Sequence, residues 1–398
     1  MLIFISVALA AIAGLLIIPV AVLFIEVVAA LKLVDERPVE VLTPDAPRRV
    51  AVIVPAHNES AGILPTIEDI KRQLNAGDRL IVVADNCSDD TAAVAAAAGA
   101  DVIARDDLEK IGKGYALGWG ISHLSIDPPD YVVIIDADCR IQPDTIGRLR
   151  EICSELQRPV QAGFLMKAAE NSPIDHSLAK FAWIVKNWVR PLGLRYLGCP
   201  VQLMGTGMIF PWDVICSAPL ASGNLVEDLK LGLDLAVVGK APYFFPFVTV
   251  TSDFPITVKG TDSQRQRWVQ GHIGMILKAV PRLLFLAITR RNLDLLVLTL
   301  DLAVPPLSLL GLLIIGIFLL ASLAALSGLP SAPLIIATAN VLVFGLAVFF
   351  AWLKFGRDSL PARAFFSIGP LGKFRLYGQM LLGRTAVQWV RTDRAKLK

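Results

Sequence analysis

Charge is scarce in this sequence. Only 18% of its 398 residues are Asp, Glu, Lys or Arg, against 55% apolar, a balance high in hydrophobicity for a soluble protein. An excess of one sign is missing as well. The net charge is +3 and no basic patch interleaved with aromatics occurs mid-chain, so nucleic acid is not an expected partner. The five cysteines, Cys87, Cys139, Cys153, Cys199 and Cys216, form no C-x-x-C pair. Neither a zinc site nor a disulfide framework is indicated, and a reducing compartment fits. His57, His123, His176 and His272 lie too far apart to share ligand spacing. No G-x-G-x-x-G follows the first strand candidate, and Gly112-Lys113-Gly114 lacks the distal glycine and the hydroxyl residue of a phosphate-binding P-loop. Dinucleotide and P-loop folds are thereby disfavoured, and any phosphate must be neutralised another way.

What is present is unevenly spread, with apolar residues concentrated at both ends. Leu2 to Leu31 is broken only by Ser6 and Glu26. About 20 apolar residues span a bilayer, and the run is too long for a signal peptide and has no basic residue before it. It reads as a retained anchor, 1–32. Spans at 302–327 and 332–354 follow, the first kinked or started by Pro305 and Pro306. Gly328 and Pro330 mark the short loop between them. Basic residues set the orientation. Lys32, Arg37, Arg290 and Arg291 flank the spans, and Lys354 to Lys398 holds ten basic and two acidic residues, whereas the 328–331 loop holds none. This predicts a multi-pass protein of the inner (plasma) membrane with its central domain, 47–270, on the cytoplasmic side. The stretches 271–291 and 355–398 mix Lys and Arg with Leu, Phe and Trp, and read either as helices on the lipid surface or as helices packed on the domain.

The central domain alternates short apolar runs with helical patterns. Strands are predicted at Val50 to Pro55, Leu80 to Ala84, Val102 to Ala104 and Tyr131 to Ile135. Helices are predicted through Ile63, Ile67, Ile70 and Leu74, and from about Asp90 to Ala98. The alternation predicts an α/β fold with a mostly parallel, Rossmann-like sheet, and polar clusters sit at the carboxyl ends of the strands, where open α/β sheets bind ligands.

Asp136-Ala137-Asp138 closes the fourth strand. Residues two apart on an extended segment point to one side, and two adjacent carboxylates repel unless a cation lies between them. Hard oxygen ligands suit Mg or Mn, with diphosphate oxygens completing the shell. Asp85 follows the second strand and reads as an acceptor for a base or ribose donor, with Ser88 or Asp89 as a helix N-cap. Lys113, between two glycines, reads as a phosphate-binding cation or as a surface lysine. Glu227-Asp228 opens an apolar helical run and reads as a general base or as an acidic first turn favoured by the helix dipole. Gln264, Arg267 and Trp268 share one helical face. Arg267 suits a diphosphate and Trp268 a sugar ring, unless they are membrane-proximal side chains reaching for water.

In their order, Pro55-Ala56-His57-Asn58-Glu59, Asp85, Gly112-Lys113-Gly114, Asp136-Ala137-Asp138, Gly205-Thr206-Gly207-Met208, Glu227-Asp228 and Gln264-x-x-Arg267-Trp268 resemble the family-two inverting glycosyltransferases of the GT-A fold. The membrane branch, with cellulose, hyaluronan, chitin-oligosaccharide and poly-N-acetylglucosamine synthases, is the nearest in pattern. The resemblance covers about Val50 to Ala279. It implies that Glu59 and Asp85 contact the nucleoside and that Lys113 lies near the diphosphate. Asp136 and Asp138 would hold nucleotide and metal, with Asp138 the direct ligand. Asp228 would be the catalytic base, Gln264, Arg267 and Trp268 would hold the diphosphate and line the acceptor site, and Gly205 to Met208 would shape the acceptor side. Where the family usually has Thr before Glu-Asp, this chain has Val226, which removes a supporting hydroxyl.

The implied reaction moves a sugar from a nucleotide-diphospho-sugar, a UDP-sugar, to a glycan or lipid-linked acceptor. Asp228 takes the acceptor proton during in-line attack, with no covalent intermediate and with inversion. Competing readings are a non-processive glycolipid transferase, a weakly catalytic sugar-nucleotide-binding subunit of an assembly complex, a nucleotidyltransferase, and a transporter, the last opposed by spans without charge pairs. Three spans are few for a pore that threads a polymer, so a partner subunit or homo-oligomer would supply the rest.

Overall fold

The computed structural model describes residues 2–32, 48–168, 176–255 and 257–361. They fall into two compact units. One comprises the described parts of Asp35–His176 and Cys199–Gly271, the other those of Met1–Val34, Ser177–Gly198 and His272–Ala386. Most of the tail predicted at 355–398 lies outside the described residues.

The first unit is built on an eight-stranded sheet. In chain order its strands are β1 (Val50–Ala56), β2 (Arg79–Asp85), β3 (Asp101–Arg105), β4 (Tyr131–Ile134), β5 (Arg140–Ile141), β6 (Val160–Lys167), β7 (Met208–Pro211) and β8 (Tyr243–Asp253). Across the sheet they run β3-β2-β1-β4-β7-β6-β8-β5. The block β3-β2-β1-β4 is parallel, with Ile53 opposite both Ile81 and Ile134. β7 pairs antiparallel with β4 and β6, β8 is parallel to β6, and β5 is antiparallel to β8. The four predicted strands are thus present within a residue or two of their expected ends, and the sheet is mixed but mostly parallel.

The continuous apolar runs follow from burial on both faces, as parallel strands require. Ala51, Val52, Ile53 and Val54 are all fully buried. On one side Leu117 and Ile121, from the helix Lys113–Leu124, pack with Ile53, Val83, Ile134, Met208, Phe210 and Leu231. Ile63, Ile67 and Ile70 of the helix Ile63–Lys71 are also wholly buried, while Leu74 lies beyond that helix's end. Each such aliphatic side chain contributes about 1.5–3 kcal/mol by leaving water. The consequence for function is positional: β1, β2 and β4 all end at the same edge, with polar loops carrying His57 to Glu59, Asp85 to Asp90 and Asp136 to Asp138.

The second unit is helical. Leu2–Ala30, Leu307–Leu326 and Ala332–Ala351 are apolar all round, and Pro306 directly precedes the second of these, so the proline pair starts that helix rather than kinking it. The helix Leu293–Leu302 stands apart from it, which moves the start of the span five residues past the predicted Leu302. The stretch 271–291 is not a separate element either. It continues one helix, Val258–Thr289, that begins before Gln264. Among the described residues four helices are long and apolar enough to cross a membrane. Three, Ile3–Ala30, Leu307–Leu326 and Ala332–Gly356, have mean hydropathy between 2.4 and 2.9, and Gly260–Thr289 is the least apolar at 1.5. Val20, Leu23, Val27, Val189, Leu310, Ile314 and Ala347 form the unit's core.

The expectation of spans without charge pairs fails at Glu26. Arg190 donates from Nε to Glu26 Oε2 at 2.5 Å and from Nη2 to Asp301 Oδ1 at 2.5 Å. All three are buried. Breaking such a pair strands a buried charge and is strongly destabilising.

Candidate active site

The side chains singled out in the sequence gather in three places within the sheet-based unit. The first surrounds Lys113, at the start of the helix Lys113–Leu124. Its ammonium contacts Asp136 Oδ1, donates to the Gly205 carbonyl at 2.7 Å and lies 3.9 Å from Glu227 Oε1. Asp228 completes the group. Gly205 adopts φ +92°, and a Cβ there would sit 3.3 Å from Asp228 Oδ2 and 3.5 Å from Lys113 Nζ. The backbone conformation favours glycine here, and a side chain would press on the Asp228 carboxylate.

Local structure fixes each member. Asp136 lies two residues past the end of β4, and its N–H donates to Thr206 Oγ1 at 3.0 Å. Thr66 donates to the carbonyls of Ala137 and Cys139 at 2.8 and 2.7 Å, holding the turn that carries Asp138. Glu227 and Asp228 open the helix Glu227–Val237. Val226 cannot cap it, and Asp228 Oδ1 accepts from the Leu229 N–H at 2.8 Å.

Electrostatics bind the group together. Burial alone would lower the Lys113 ammonium, but Asp136, Glu227 and Asp228 reverse this and hold it above the ordinary lysine value. Burial pushes the Glu227 carboxyl up to about 7, opposed by Lys113 and reinforced by the negative charges of Asp228 and Asp136. The donor atoms of Asp136, Asp138 and Cys139 lie within 4.8 Å of one another. Two carboxylates at this spacing fit a hard divalent cation, with room for oxygens from a ligand.

The second place is the pair of loops after β1 and β2. Asn58 Oδ1 accepts from the Ser88 and Asp89 N–H groups at 2.7 and 3.3 Å, and the Glu59 N–H donates to Thr91 Oγ1 at 2.8 Å. Glu59 therefore helps lock the loops through its backbone, whatever its carboxylate binds. His57 Nδ1 lies 2.7 Å from the Asp85 carbonyl. That oxygen can only accept, so Nδ1 carries the proton. The Asp85 carboxylate is buried, and burial raises its pKa against the lowering effect of Arg105.

Arg105 escaped the sequence reading. It ends β3 in register opposite Asp85 and donates to its Oδ1 at 2.5 Å. Twenty residues separate the two in sequence, so only knowledge that β2 and β3 are paired, and in which register, would have revealed them. Glu227 was read only as half of an acidic pair, and its contact with Lys113 likewise depends on chain folding.

The third place is the part of the helix Val258–Thr289 up to Gly271. Gln264, Arg267 and Trp268 lie on it at the spacing that shares a face, and Gln264 is buried. A Cβ at Gly271 would meet Val226 Cγ1 at 2.7 Å, so this helix packs on the residue just before Glu227-Asp228.

Residues 47–271, more than half of the chain, match Glycosyltransferase like family 2. The chain belongs to that family and is a glycosyltransferase. Among solved structures, a mannosyltransferase from Pyrobaculum calidifontis, in complex with GDP-Man and Mn2+, aligns over 94% of this chain and 95% of its own, with a TM-score of 0.51 and 17% identity. A glucosyl-3-phosphoglycerate synthase from Mycobacterium tuberculosis aligns over 60% of this chain and 85% of its own, at TM-score 0.40 and 21% identity. A curated relative, undecaprenyl-phosphate 4-deoxy-4-formamido-L-arabinose transferase of Sodalis glossinidius (strain morsitans), is 31% identical over 120 residues, which are 28% of this chain and 36% of that protein. The chain thus matches about a third of that relative's length.

Proposed function

We propose that this glycosyltransferase takes a sugar from a nucleotide-diphospho-sugar and passes it, with inversion, to an acceptor at the cytoplasmic face of a membrane. The observation that carries the proposal is the meeting of Lys113 with Asp136, Glu227, Asp228 and the Gly205 carbonyl at the carboxyl end of β4. Such a group has a place for a diphosphate beside a place for a base.

Asp136 and Asp138 would hold Mg or Mn, whose chemistry is to neutralise charge on the departing diphosphate. Lys113 and Arg267 add positive charge for that leaving group. Asp85 and Glu59 hold the nucleoside, and Gln264 and Trp268 line the acceptor side. Asp228 faces the gap that Gly205 leaves open and takes the acceptor hydroxyl's proton as that oxygen attacks the anomeric carbon. Membrane lipids surround the helical unit, and a partner subunit or second copy would add the surface that a threaded polymer needs.

The relative named for an undecaprenyl-phosphate acceptor favours a second form of this reading, a lipid-linked phosphate as nucleophile. A phosphate is already ionised and needs no base. Asp228→Asn separates the two forms. With a hydroxyl acceptor, transfer by the variant should fall by about 10²–10⁴-fold, measured as product mass from a panel of nucleotide sugars. Undiminished transfer would remove Asp228 as base and leave the phosphate acceptor standing.

A further inference from the structure

We infer that Arg105 is a positioning residue that sets nucleobase specificity, by leaving Asp85 a single oxygen with which to read a base. The inference rests on the nucleotide-sugar reading and deepens it.

Asp85 Oδ1 already takes two donors, Arg105 Nη1 at 2.5 Å and Asn86 Nδ2 at 3.3 Å. Arg105 cannot swing away. It is buried, with its Nη2 donating to Asp107 Oδ2 at 3.1 Å and to the Lys110 carbonyl at 2.8 Å. Its guanidinium also lies 5.5 Å from the centre of the Tyr115 ring. Asn86 is locked as well, accepting from the Asp107 N–H at 2.7 Å and donating to the Asp107 carbonyl at 3.2 Å. Among the described residues Asp85 Oδ2 takes no hydrogen bond, so it is the oxygen on offer.

The bases differ in what they ask of a carboxylate. Guanine presents two parallel donors, N1–H and one N2–H, spaced for both oxygens of one carboxylate. Uracil and thymine present one N–H between two carbonyls. With Oδ1 occupied, the single imide N–H is matched in full, whereas guanine is left with an amino hydrogen buried without an acceptor. A buried unmatched donor weakens binding by about ten-fold or more.

The test is isothermal titration of the full chain in detergent micelles with UDP, dTDP and GDP, each with Mn2+. UDP or dTDP should bind at least about ten-fold more tightly than GDP. Arg105→Leu removes the closer of the two donors on Oδ1 and should narrow that ratio to within about three-fold. Arg105→Lys, which keeps the charge but loses the fork, should narrow it less and serves if the leucine variant does not fold. A merely structural loss would weaken all three nucleotides alike and leave the ratio in place. Wild-type affinity for GDP equal to or above that for UDP and dTDP, or a ratio unmoved in the folded variants, would overturn the inference alone. Binding of none of the three would overturn the nucleotide-sugar reading with it.

Discussion

Glu227 shows how far a single side chain departs from its sequence value once the chain folds. Its carboxyl titrates at about 7 instead of 4.5. Between those pH values the folded chain keeps a proton that the unfolded chain has lost, so the group's stabilising contribution is complete below 4.5 and disappears as pH rises through 7. Glu227→Gln removes a carboxylate that is disfavoured when charged. The variant is expected to melt about 2–4 °C above wild type at pH 8, with the gain gone below pH 4.5. A lower melting point than wild type at pH 8 would show that the Lys113 contact outweighs burial and the neighbouring acids. At this scale the sequence was informative where chemistry is local. Asp136 and Asp138 are two apart on one extended segment, and their shared direction follows from backbone geometry alone. It was silent where partners come from separate strands, as for Arg105 with Asp85, or from separate helices, as for Arg190 with Glu26 and Asp301.

Elements were legible when their pattern was long and repeated. The parallel strands β1 to β4 announce themselves by unbroken apolar runs, and the helix Ile63–Lys71 by isoleucines spaced three and four apart. β5 has two residues, too few to show any period, and β7 was read as part of a glycine motif because Gly205 and Gly207 adjoin it. The helix Leu293–Leu302 merged with the apolar run after it, since leucine-rich sequence marks no boundary until Pro305. Close packing between helices is equally hidden in composition. A Cβ at Gly193, in the helix Arg190–Tyr196, would lie 1.9 Å from the Glu26 carbonyl oxygen, a clash with backbone that no rotamer relieves. Gly193→Ala is expected to cost about 1–3 kcal/mol, visible as a lower midpoint in a circular-dichroism melt of the detergent-solubilised chain. An unchanged midpoint would mean that the two helices separate freely.

For the whole molecule, the division into a sheet-based unit and an apolar helical unit explains why the composition read as too apolar for a soluble protein, with its apolar residues at both ends. The 55% apolar content combines two kinds of burial. One is the core of an α/β sheet, the other helices whose apolar residues face outward, such as Leu15, Leu319 and Leu342. Membership of glycosyltransferase family 2 fixes the reaction class, and the acid cluster at the end of β4 is the donor site proposed above. The most direct measurement is titration of the full chain with UDP and GDP, with and without Mn2+, in wild type and Asp138→Ala. Tight binding of one nucleotide only when Mn2+ is present, reduced by about 100-fold or more without the carboxylate, is the expected result. Equal binding with and without the ion, unchanged in the variant, would contradict a metal-assisted donor site at Asp136 and Asp138.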